Sequence, residues 1–146
     1  TMPNTIFITV AGSLQTMAGT VQYGSIGSTA GVQRSTTESF IKHIFRDAGT
    51  LSYLSIIVDA NTSTSPVNLR LRNGTSNGNC VVSIPAGSTG FFIDLINSDT
   101  ITAGDDWHYQ TGAAVGGTIN YSSISMIYTP SVSTNTVSRF IGCGGV

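Results

Sequence analysis

Apolar and polar residues alternate along this chain in short runs, and a period of two dominates. In Val67-Asn-Leu-Arg-Leu-Arg72, the residues Val67, Leu69 and Leu71 point to one side of an extended strand, and Asn68, Arg70 and Arg72 to the other. Further on, Ile124, Met126 and Tyr128 share a face opposed by Ser123, Ser125 and Ile127. These runs are rich in Val, Ile, Thr, Tyr and Phe, and Gly, Asn, Ser and Asp interrupt them roughly every 8 to 12 residues, the spacing of an antiparallel sandwich or barrel. The pattern predicts strands over Thr5–Val10, Thr20–Ile26, Leu51–Asp59, Asn68–Arg72, Cys80–Ile84, Gly90–Ile96, Trp107–Thr111 and Ile119–Tyr128. Asn73-Gly74 follows one alternating run and Asn77-Gly78 precedes the next, which predicts a hairpin with a loop longer than two residues.

The segment Ser35–Asp47 reads two ways. Ser35-Thr-Thr-Glu38 matches a capping box, and Phe40, Ile41, Ile44 and Phe45 form a helical stripe. A strand needs only Lys42 and Arg46 to extend from one face, and it leads directly into Ala48-Gly49-Thr50 and another strand-like run. We favour the strand. The expected fold is all-β, an antiparallel sandwich in a single domain over 1–130 that includes an N-terminal β arm over about 1–18, followed by a tail over 131–146.

Composition narrows the functional classes. A chain of 146 residues fits one domain that buries roughly two-thirds of its surface on folding. Charged residues are only 9%, against roughly 25% in ordinary soluble domains, so Ser, Thr, Asn and Gln must supply the surface polarity. Such a surface repels its copies weakly and favours association. The net charge is −1, and Arg34, Lys42, Arg46, Arg70, Arg72 and Arg139 do not cluster, which excludes the concentrated positive footprint of a nucleic-acid partner. No apolar run reaches the ~18 residues of a membrane span, so no membrane partner is expected. The opening residues also lack the basic and apolar regions of a signal peptide. Cys80 and Cys143 make no metal spacing and no disulfide framework; Cys80 is expected to be a strand residue, and Cys143 a free thiol in a Gly-rich tail.

The most chemically suggestive stretch is Gly104-Asp-Asp-Trp-His108. Asp105 and Asp106 with His108 suggest a cation site or acid–base work, but two adjacent carboxylates are too few for a hard cation. Adjacent strand residues also point to opposite faces, so the two cannot act as a facing pair. The stretch is instead expected to be a turn that launches a strand, with Trp107 in or near the core and Asp106 and His108 opposite, meeting water or a neighbouring subunit. His43 and His108 have no third ligand at metal spacing. The serines form no nucleophile elbow, and Gly112–Gly117 has no lysine to cradle a phosphate. No catalytic residue, metal or cofactor is expected.

Four stretches together, Ala48-Gly-Thr-Leu-Ser-Tyr-Leu-Ser-Ile-Ile-Val-Asp59, Val67-Asn-Leu-Arg-Leu-Arg-Asn-Gly74, Val82-Ser-Ile-Pro-Ala-Gly87 and Ile101-Thr-Ala-Gly-Asp-Asp106, resemble jelly-roll (TNF/C1q-like) modules of phage and metagenomic virion proteins. The resemblance spans about residues 38–129. It implies a jelly-roll sandwich, commonly a homotrimer, in a virion: a capsid cement or decoration protein bound to the major capsid protein, or a fibre tip, with no catalytic residues. At the flanks, Ile6, Phe7 and Ile8 and the tail residues Arg139, Phe140 and Ile141 are candidate partner contacts. There an added strand would gain backbone hydrogen bonds, although the N-terminal run also suits a simple edge strand. The alternative is a carbohydrate- or receptor-binding module of a tail fibre, with Asn97, Asp106, Trp107 and Tyr109 as contacts to a host glycan.

Overall fold

The computed structural model of the chain describes residues 5–26 and 34–131. Ten strands run in order: β1 (Ile6–Met17), β2 (Gln22–Ser25), β3 (Arg34–Ser35), β4 (Gly49–Asn61), β5 (Val67–Asn73), β6 (Ser76–Ile84), β7 (Gly90–Ile93), β8 (Ser98–Ile101), β9 (Trp107–Thr111) and β10 (Ile119–Pro130). They build two five-stranded antiparallel sheets. The first has the order β1-β10-β4, with β7 and β8 sharing the far side of β4; the second has the order β3-β2-β9-β5-β6. The protein is therefore an all-β sandwich, as the period-two runs predict. Among the described residues, no helix is long and apolar enough to cross a membrane.

The core lies between the sheets and is built by strand parity. Leu51, Leu54, Ile56, Val58, Ile124, Met126 and Tyr128 of the first sheet bury against Leu69, Leu71, Val82, Ile84, Trp107 and Tyr109 of the second. Gly24, within the predicted strand Thr20–Ile26, lies in β2 opposite Tyr109; a Cβ there would come within 2.0 Å of the tyrosine ring. The absent side chain makes room for the ring.

Several predicted elements are corrected. Ser35–Asp47 is neither a helix nor a full strand. It holds a 3-10 turn over Glu38–Phe40, then an extended stretch with a single bridge between Ile44 and Asp106. The capping box does not form: Ser35 Oγ accepts the Thr37 N–H at 2.9 Å, but the Glu38 carboxylate is engaged elsewhere. Gly90–Ile96 is broken after Ile93, because Asp94 Oδ1 accepts the N–H groups of Ile96 and Asn97 at 3.0 Å each and turns the chain into β8. In the β5–β6 hairpin, Asn73 pairs with Ser76, so the loop is two residues rather than longer. Asn77-Gly78 lies inside β6, where a Cβ on Gly78 would meet Asp99 at 2.7 Å and the Trp107 ring at 2.9 Å.

Edge strand β6 is closed by two acidic side chains of the other sheet, Asp94 in the β7–β8 turn and Asp99 in β8. Asp99 accepts the N–H groups of Asn79 at 2.6 Å and Cys80 at 2.9 Å, and Asp94 accepts that of Val81 at 3.0 Å. At the opposite side, β1 is the edge strand of the first sheet and pairs with β10 in register, Phe7 with Ile127 and Thr9 with Ser125.

Candidate functional site

Side chains at alternate positions of β5 and β9 face away from the core, and this outer surface of the second sheet carries Arg70, Arg72 and His108. Arg72 and His108 are cross-strand partners, and the 3-10 turn lays Glu38 over them. Arg72 Nε donates to Glu38 Oε1 at 2.7 Å and its Nη2 to Oε2 at 3.1 Å, a forked pair. Arg72 also donates to the Thr75 carbonyl at 2.7 Å and to the Asn77 side-chain oxygen. The Arg72 guanidinium holds the Glu38 carboxyl below its ordinary range, more than offsetting the burial that pushes it up, with the His108 hydrogen bond adding to the effect.

His108 is 1% exposed, and its Nε2–H donates to Glu38 Oε1 at 2.9 Å. An ionised acid offers only acceptors, so this bond fixes the proton on Nε2. Nδ1 then has no hydrogen-bond partner; the nearest acid oxygen is Asp106 Oδ1, 3.7 Å away. The Tyr23 ring packs edge-on to the imidazole at 5.9 Å. The expected placement of His108 is half corrected. It does lie opposite Trp107, but it meets neither water nor open surface, because Glu38 and the Tyr23 ring cover it.

The Gly104–His108 stretch is the turn that the sequence suggests. Asp105 Oδ2 accepts the Thr102 N–H at 2.9 Å and the Trp107 indole N–H at 3.3 Å, and Asp106 Oδ1 accepts the His43 backbone N–H at 2.9 Å. Backbone bonds from Trp107 N to His43 O and from Phe45 N to Asp105 O, both 3.0 Å, stitch the covering segment to the start of β9. Burial lowers the pKa of His43 from its ordinary value, against an opposing pull from Asp106.

This cluster ties the covering segment to the sheet and is poorly placed for catalysis. A general base must reach the proton it takes, and the His108 ring is sealed beneath Glu38. Burial, reinforced by Asp99, pushes the Cys80 thiol far above its ordinary value, which removes it as a nucleophile. Among the described residues, no group of three or more His, Cys, Asp and Glu could hold a metal.

The proposed glycan contacts do not form a surface set. Trp107 and Tyr109 are each 4% exposed and belong to the core, so neither offers a ring face to a sugar, while Asn97 is hydrogen-bonded to Asp94 in the β7–β8 turn. Of the N-terminal candidates, Ile8 is core, Ile6 packs against it and Phe7 points outward, 67% exposed. Arg139, Phe140, Ile141 and Cys143 lie outside the described residues.

Phe7 belongs to a second surface, the outer face of the first sheet. Register aligns Phe7, Ile127 and Ser52 in one row, Thr9, Ser125, Ser55 and Ile93 in the next, and Ser123, Ile57 and Phe91 in a third. The middle row is tied by a Ser55 Oγ–Ser125 Oγ contact of 2.6 Å. Phe91 is 61% exposed, and Tyr53 projects at a β4 bulge where its φ is 55°. No charged residue stands in these rows; Asp59 is the first charge met along β4.

Sequence reasoning misses Glu38 and Arg72 as a pair. The available signal was scarcity: in a chain with 9% charged residues, a lone glutamate and an alternating Arg-x-Arg run are worth pairing even though they are far apart in sequence. No family model matches the chain, and no curated protein matches it.

Proposed function

We propose that this chain is a non-enzymatic structural module that assembles with its own copies, as a homotrimer, through the outer face of the first sheet. We further propose that the assembly is a virion component, a cement or decoration protein that bridges and stabilises major capsid subunits. The observation that carries the assembly is the uncharged outer face, with Phe7, Ile57 and Phe91 exposed around a centre of serine hydroxyls. An interface core depleted of charge and supplied with aromatics has this composition, and covering it leaves no ion stranded.

The strand order supports the jelly-roll topology. The chain crosses between sheets from β1 to β2, β3 to β4, β4 to β5, β6 to β7, β8 to β9 and β9 to β10, so that its first and last long strands are neighbours. The virion role rests on the resemblance of the stretches 48–59, 67–74, 82–87 and 101–106. Sedimentation velocity at micromolar concentration tests the assembly: a trimer is expected, and a stable monomer overturns it. Copy number on purified particles tests the role. Hundreds of copies per particle fit a capsid protein, whereas a handful would move the protein to a fibre or tail.

A further inference from the structure

The outer face of the second sheet carries a shallow polar groove of about 480 Å³ beside the Glu38 cluster, and Asn68, Arg70, Arg72, Asn77 and Gln110 contribute to its walls. Its volume falls within the roughly 300–1,000 Å³ of small-ligand clefts, but such clefts are usually apolar and this one is lined by amides and guanidinium groups. The two arginines differ sharply. Arg72 is neutralised by Glu38 in a forked pair, whereas Arg70, one pleat earlier on the same face, has no hydrogen bond or ion pair among the described residues. The groove therefore carries one uncompensated positive charge.

The amides around that charge are held in place but not used up. Gln110 stands directly across from Arg70, and its Nε2 donates to the Tyr23 hydroxyl at 3.3 Å, which fixes the amide and leaves its Oε1 available. The Asn68 side chain, next along β5, has no partner among the described residues and offers both a donor and an acceptor. A planar guanidinium suits a carboxylate, because two parallel N–H bonds match its two oxygens. Amides that both donate and accept suit hydroxyl groups. Together they describe a ligand that is at once polyhydroxylated and acidic.

We propose that this groove binds an acidic saccharide, with the sugar carboxylate on Arg70 and ring hydroxyls on Asn68 and Gln110. The groove lies on the sheet opposite the assembly face, so it stays open when copies pack through the first sheet. Nothing in it depends on the oligomer.

The test is an amide-resolved NMR titration of the full chain with a glucuronate-containing disaccharide, raised to about 20 mM so that a millimolar Kd is measurable. Saturable shifts are expected at residues 68–72 and 110–112. A neutral disaccharide of equal size should bind at least about tenfold more weakly, and Arg70→Gln should lose about the same factor, as expected for one charge-assisted contact. Arg46→Gln, an exposed charge outside the groove, should bind like the parent. Should Arg70→Gln fail to fold, Arg70→Lys keeps the charge but loses the fork, and weaker binding is still expected. The proposal is overturned by no shift in these residues, by equal binding of the neutral sugar, or by unchanged binding in the folded Arg70 variant. Equal loss in Arg46→Gln would show mere charge attraction, and tighter binding of a tetraglutamate peptide would make the groove a peptide site; either outcome also overturns it.

Discussion

The outer face of the second sheet holds Arg70 and, with Glu38 laid over them, Arg72 and His108, whereas the three central rows of the first sheet's outer face hold no charge at all. Both faces present strands with period-two side chains, so the difference lies in what each needs to be complete. A charge removed from water must keep its partner, and the covering segment supplies one from the same chain. An uncharged face of hydroxyls and apolar groups has no such requirement. It can stand in water at modest cost and be covered by a copy with little desolvation penalty. One forked ion pair thus closes part of one face of the monomer, over Arg72 and His108.

Four experiments test that contrast. The largest effect is expected from Glu38→Ala, which strands Arg72 and His108: a loss of about 3 kcal/mol, read as a fall of roughly 10 °C in Tm. A shift below about 1 °C would show that the cluster is ornamental. Next, Phe91→Asp should convert the trimer to monomer at micromolar concentration while altering monomer stability by less than about 0.5 kcal/mol, as befits an exposed site. Sedimentation together with urea unfolding separates the two quantities.

Acidity should act on one face only. The pKa of Glu38 is lowered on folding, so its contribution is present above the unfolded carboxylate value and is lost as pH falls through the folded one. The pKa of His43 is also lowered, so the unfolded chain takes up its proton first and stability declines below about pH 6.5. Tm should therefore drop progressively from pH 6.5 downward, while the oligomeric state holds as long as the monomer is folded. Dissociation that precedes unfolding would place a titrating group in the interface. The smallest effect is expected from Tyr53→Asn. Asparagine tolerates the left-handed backbone at the bulge better than tyrosine, so the monomer should gain about 0.5–1 kcal/mol in urea unfolding.

The period-two runs made β5, β9 and β10 legible, because each buries one parity set in the core and the pattern records it directly. Trp107 in the core and Asp105 in a turn followed from the same logic. What parity could not reveal was coverage. His108 sits on the polar side of β9 and reads as exposed, yet a turn some seventy positions earlier in the chain lies across it. Glu38 was missed for the complementary reason: the only local signal it gave was a capping-box spacing from Ser35, whereas its forked pair with Arg72 is long-range. Glycines were also ambiguous. Gly78 looked like a turn residue and proved to be a strand position pressed against Trp107, a constraint that exists only once the sheets have packed.

The acid caps on β6 carry a consequence for polymer growth. A bare strand edge is a template onto which further chains can be added without limit. Here Asp99 and Asp94 already occupy the N–H groups of Asn79, Cys80 and Val81, so an incoming strand would find them taken and would confront two carboxylates. Burial pushes the Asp94 carboxyl up, but hydrogen bonds from Asn97, Val81 and Ile96 outweigh it and hold it ionised to lower pH than an ordinary aspartate. Strand-by-strand growth is thus blocked along this stretch of the β6 edge, and the Asp94 cap persists into mild acid.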